Sequence, residues 1–98
     1  MEISANDIEF FQENGAIVVR GLFSPAEMTL LEQGIEANMA EPSALSIVAS
    51  RPEDPGYFIE DFCNWQRISQ FREFVFNTRA AAVAGQLMKS RQVRLPPL

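Results

Sequence analysis

Ninety-eight residues allow one small domain, and 47% hydrophobic against 21% charged residues is a globular rather than a disordered balance. The single cysteine, Cys63, excludes an internal disulfide framework, and the N-terminus has neither the basic start nor the apolar run of a secretory leader, so a cytoplasmic location is expected. A net charge of −5 disfavours nucleic acid as a partner, and no window approaches the roughly 20 apolar residues of a membrane span.

Ser4 opens the first predicted helix, from about Ala5 to Asn14. Asp7 stands three residues after this cap, and Ile3 and Ile8 hold the two positions of a hydrophobic staple. Asn14-Gly15 reads as a helix stop, Ala16-Ile17-Val18-Val19-Arg20 as a short β-branched strand, and Gly21 as the turn after it. The same starting device then recurs, with Phe23 before a Ser24 cap, Pro25 at the first helical position, Glu27 at the third and Met28 at the fourth. This second helix should end near Ala40, ahead of Pro42. Met28, Leu31, Ile35 and Met39 form an apolar stripe along it, read as its core-facing side.

Ser43 to Ser50 fits either a short strand or an irregular loop, and the run from Arg51 to Gly56 reads as a turn-rich connector. Tyr57 to Phe62 has the aromatic and β-branched composition of a strand, and Cys63-Asn64-Trp65 turns the chain. The spacing of Ile68, Phe71, Phe74 and Val75 predicts a helix from about Ser69 to Phe76. Asn77-Thr78 then breaks and caps, and Arg79 to Lys89 reads as an Ala-rich helix in which Ala80, Ala84 and Gly85 permit close packing. Gln92 to Leu95 begins a last strand that Pro96-Pro97 stops at once, leaving residues 96–98 as an out-of-pattern tail.

Charge is unevenly divided. Eight acids face Arg20 alone through Ala49, whereas seven bases face five acids from Ser50 onward. Solvated helix faces explain most of this; a basic C-terminal surface awaiting a partner is the sharper reading.

Few side chains offer chemistry. Glu53, Asp54, Glu60 and Asp61 could give oxygen ligands to a hard cation, but they lack the spacing of a calcium loop and read more plainly as solvated loop charges. Cys63 has no histidine to activate it and reads as a small buried thiol. Trp65 near Arg67 either marks a binding patch or closes a core between strand and helix. The glycines make no phosphate-binding pattern.

Taken in order, the first helix, Asn14-Gly15, the strand ending Arg20-Gly21, Leu22-Phe23-Ser24-Pro25-Ala26-Glu27 and the acidic second helix form one recognisable succession. Phe71-Arg72-Glu73-Phe74-Val75-Phe76, the Ala-rich helix with Leu87-Met88, and Ser90-Arg91-Gln92-Val93-Arg94-Leu95 continue it. The succession resembles the N-terminal portion of the phytanoyl-CoA dioxygenase family, and the likeness runs to about Leu95. Members are non-haem Fe(II)- and 2-oxoglutarate-dependent oxygenases. The resemblance implies an α+β chain forming the helix–strand–helix N-terminal part of a double-stranded β-helix, or jelly roll, with the barrel core mostly absent. Residues 1–98 would then be a single partial domain. Ala16–Arg20 would join the edge of the main sheet, the second and last helices would buttress its outer face, and Val93-Arg94-Leu95 would begin a strand entering the barrel.

In the family, a His-x-Asp motif and a distant second His hold the iron, and an Arg holds the far carboxylate of 2-oxoglutarate. This chain contains no histidine. No iron ligand is therefore carried over, and Arg91 and Arg94 precede the family's catalytic strands, so no catalytic, cofactor-binding or metal residue is assigned. The expectation is a truncated relative, inactive alone. Fe(II) and 2-oxoglutarate would belong to the full-length form, which would hydroxylate a small carboxylic or acyl substrate with a downstream fragment supplying the metal site. The alternative is a small non-catalytic binding or homo-oligomerisation module that self-associates through uncovered strand edges and helix faces.

Overall fold

Both N-terminal helices start where a serine and an acid satisfy each other's backbone donors. The computed structural model describes residues 2–96 and places α1 at Ala5–Asn14 and α2 at Pro25–Ala40. Ser4 Oγ accepts from the Asp7 N–H at 3.1 Å while Asp7 Oδ2 accepts from the Ser4 N–H at 3.0 Å. Ser24 and Glu27 repeat this reciprocal box at 3.1 and 2.8 Å, with Pro25 in the first turn. Gly15, at φ 76°, closes α1 in the left-handed region and donates its N–H to Phe11 O at 2.7 Å. Ser24→Ala should lower the stability read from urea unfolding by about 1 kcal/mol, and Ser24→Gly by only a few tenths.

After α2 come two short strands, β1 (Ile47–Val48) and β2 (Ile59–Glu60), then α3 (Ser69–Asn77) and α4 (Ala80–Met88). The strands pair antiparallel, Ile47 opposite Glu60 and Val48 opposite Ile59. The chain is thus α+β, with four helices and one two-stranded sheet among the described residues. The four predicted helices are present within a residue of their expected ends. Thr78 works as expected between the last two: its hydroxyl donates to Phe74 O and accepts from the Ala80 N–H.

The strands depart from expectation. Ala16–Arg20 and Gln92–Leu95 form no strand, and Tyr57–Phe62 contributes only two residues to the ladder. Their β-branched side chains suit a pleated surface, but a strand exists only against a second backbone whose N–H and C=O groups it can meet. The expected entry of Ala16–Arg20 into a main-sheet edge is therefore not realised among the described residues. Of the residues 96–98 tail, Pro97 and Leu98 lie outside the described residues.

Helix α1 packs on α4, α4 on α3, and α3 on α2. Gln12 Nε2 ties the first pair by donating to Leu87 O at 2.8 Å. Across the last pair, a Cβ on Gly34 would lie 2.5 Å from Phe71 Cε1, so α2 is notched for that ring. Phe23 and Phe74 add a ring contact at 4.9 Å. The core stops there. Only Ile3, Ile68 and Val83 are buried among the described apolar side chains. The accessible surface is 7451 Å², about a third more than the roughly 5,600 Å² of a compact monomer of 11.0 kDa. The radius of gyration is 15.9 Å, against about 13 Å for a compact domain of this length.

The second helix also turns differently from its reading. Met28, Ile35 and Met39 are 46%, 51% and 45% exposed, and Leu31 alone of that stripe is half-buried. What α2 presents to α3 is the side carrying Gly34, whose missing side chain contributes nothing to an apolar pattern.

Candidate functional site

Two places concentrate side-chain chemistry: a polar cluster joining the end of α2 to the start of α3, and an apolar groove beside α4.

The cluster is built on a turn that spaces Asp61, Asn64 and Arg67 three residues apart. Asp61 is 1% exposed at its side chain and lies 3.8 Å from Arg67 Nη2. It accepts from the Ser43 N–H at 2.8 Å and from the Ser43 hydroxyl. Asn64, buried at 5% exposure, donates to Asp61 O at 3.0 Å and accepts from Arg67 Nε and Nη2 at 3.2 and 3.0 Å. The guanidinium then reaches Glu41 O at 2.8 Å and Asn38 Oδ1 at 3.0 Å. Arg67 thereby caps the C-terminus of α2 with a fixed charge, where the helix dipole favours a cation. No buried side-chain donor or acceptor among the described residues is left without a partner. A network so completely satisfied holds structure in place.

Burial pushes the Asp61 carboxyl upward, but hydrogen bonds from the Ser43 hydroxyl and N–H, a bond from Asn64 and the Arg67 charge outweigh it. They hold the group below its ordinary value of 3.8. A depressed folded-state value means that this stabilisation is complete above the ordinary value and is lost as pH falls through the folded one. Urea midpoints should therefore be insensitive to Asp61 between neutral pH and about pH 5, and should decline below about pH 4. Asp61→Asn should remove that part of the decline.

The other sequence candidates separate in space or in role. Asp54 Oδ2 accepts from the Arg51 N–H at 2.7 Å, Glu53 sits 3.9 Å from the Arg51 guanidinium on the surface, and Glu60 lies in β2. With Asp61 committed to the cluster, the four carboxylates do not form a ligand set, and no group of three or more metal-binding side chains occurs among the described residues. Cys63, read from sequence as buried, is half-buried and sits at φ 60°, at the turn leading into Asn64. Of the Trp65–Arg67 pair, Arg67 is held in the cluster. Asn64 and Ser43 were not singled out by sequence. The only signal for Asn64 is the polar triplet Asp61-x-x-Asn64-x-x-Arg67 interrupting an apolar stretch, and Ser43, 18 positions from Asp61, has none.

Trp65 instead walls the groove. It meets Phe76 edge-on at 5.7 Å and donates its indole N–H to Pro96 O at 3.3 Å. Ala80, Ala81 and Ala84 of α4 form the floor, Val93 and Leu95 the far wall, and Arg94 stands at the lining. The space is about 600 Å³, predominantly apolar and open to solvent. Phe76 is 65% exposed within it. No helix among the described residues is long and apolar enough to cross a membrane. No protein-family model, curated protein or solved structure matches the chain.

Proposed function

We propose that this chain is a non-catalytic scaffold segment, the N-terminal part of a phytanoyl-CoA dioxygenase-like jelly roll whose apolar faces are completed by further polypeptide. The observation that carries this reading is the disproportion between apolar content and burial. Nearly half the residues are hydrophobic, yet only three apolar side chains among the described residues are buried. Two further features support it. Ala16–Arg20 and Val93–Leu95, where the likeness expects strands, have strand composition without a ladder partner among the described residues. The order of helix starts and stops also follows that of the family.

The whole fold would use Fe(II) and 2-oxoglutarate to hydroxylate a small carboxylic or acyl substrate. The residues present do not fit that metal. Histidine is absent from the sequence, and the carboxylates nearest one another are engaged by Ser43, Arg51 and Arg67. No step of the reaction is assigned to this chain. The purified chain, supplied with Fe(II), 2-oxoglutarate and oxygen, should form no succinate above the metal-only blank. Tight Fe(II) binding with turnover would overturn the inactive assignment. The scaffold half has its own test in amide hydrogen exchange. Ala16 to Val19 and Gln92 to Leu95 should exchange as open chain, and strong protection there would mean that they already have ladder partners.

A further inference from the structure

We propose that the outer stripe of α2 docks into the Trp65–Leu95 groove of a second copy of this chain. This association rests on exposed surface alone and does not depend on the jelly-roll relationship.

Three observations select the occupant. The first is area. The chain exposes roughly 1,800 Å² beyond a compact monomer, more than twice the roughly 800 Å² per partner of a standard stable interface. The second is shape. Met28, Ile35 and Met39 fall on one narrow side of α2, about a third of a turn around from the Gly34 position that seats Phe71, and span about 16 Å. The groove offers an alanine floor, which admits a helix at close range, between aromatic and aliphatic walls. The third is charge. Glu32 and Glu36 flank the stripe, Arg94 lines the groove, and Arg91 is exposed close by in sequence. The acidic first half and the basic C-terminal segment of the chain thus become complementary surfaces of two copies. Stripe and groove are different patches, so the contact is heterologous, and a dimer needs the exchange to be reciprocal.

Sedimentation velocity of the native chain and a set of variants tests this. The native chain should associate at micromolar concentration. Ile35→Glu, on the stripe, and Ala81→Glu, on the groove floor, should each weaken association at least about tenfold. Both positions are exposed, so far-UV circular dichroism should be unchanged. Mixing the two variants should recover part of the association, because the mixed pair regains one of the two stripe–groove contacts of the reciprocal native dimer. Arg94→Glu should also weaken it, and adding Glu32→Arg and Glu36→Arg should recover part of the loss. A native chain that stays monomeric, variants that associate normally, or a mixture that associates no better than either variant alone would each overturn the proposal. The second outcome would point to the exposed β1–β2 hairpin as the contact, and the third to a patch that meets its own copy.

Discussion

Gly34→Ala should destabilise this chain by about 1–2 kcal/mol, although alanine is the better helix former by about 1 kcal/mol. The new Cβ would stand 2.5 and 2.6 Å from Cε1 and Cδ1 of Phe71 and 3.3 Å from Gln70 Cβ. A phenyl ring cannot yield as the tip of a flexible chain does, so α2 and α3 must separate or the ring must leave its rotamer. A double-mutant cycle isolates the cause. In a Phe71→Ala background the same Gly34→Ala change should become neutral or stabilising, since only its helix-propensity gain remains. A stabilising effect in the native background would mean that α2 and α3 are not packed as described.

Arg67→Ala should cost about 2–3 kcal/mol, a large effect for a side chain that is 39% exposed. The guanidinium donates to Asn64, Asn38 and Glu41 O and stands beside a carboxylate with almost no access to water. Its removal leaves the Asp61 charge facing only Ser43 and Asn64, and leaves the end of α2 without its cap. Arg67→Lys should recover less than half of the loss, because an ammonium keeps the charge but cannot span Asn64, Asn38 and Glu41 together. Equal stability of Arg67→Lys and the native chain would reduce the cluster to a simple ion pair.

These two sites show what the sequence makes legible and what it hides. Helix starts are written locally: Ser4 with Asp7 and Ser24 with Glu27 are read within four residues, and their geometry follows. Strands are different. Ala16-Ile17-Val18-Val19 has strand composition, but pairing depends on a partner that composition cannot supply. The facing of α2 is hidden for a related reason. A hydrophobic pattern identifies an apolar stripe, whereas the contact with α3 is made at a glycine, a residue without a side chain to count. Arg67 and Asp61 were visible as charges, but the bonds to Ser43 and Glu41 join residues 18 and 26 positions apart and exist only in the fold.

A thin core with broad apolar exposure has a thermodynamic signature, because folding and covering of that surface become one equilibrium. The direct measurement is the urea midpoint of the purified chain across a hundredfold range of protein concentration. A midpoint that climbs steadily with concentration is the expected result, since the folded form gains stability only as its apolar faces are covered. A sharp, concentration-independent transition of a monomer, with the denaturant dependence of a compact domain of 98 residues, would contradict the account.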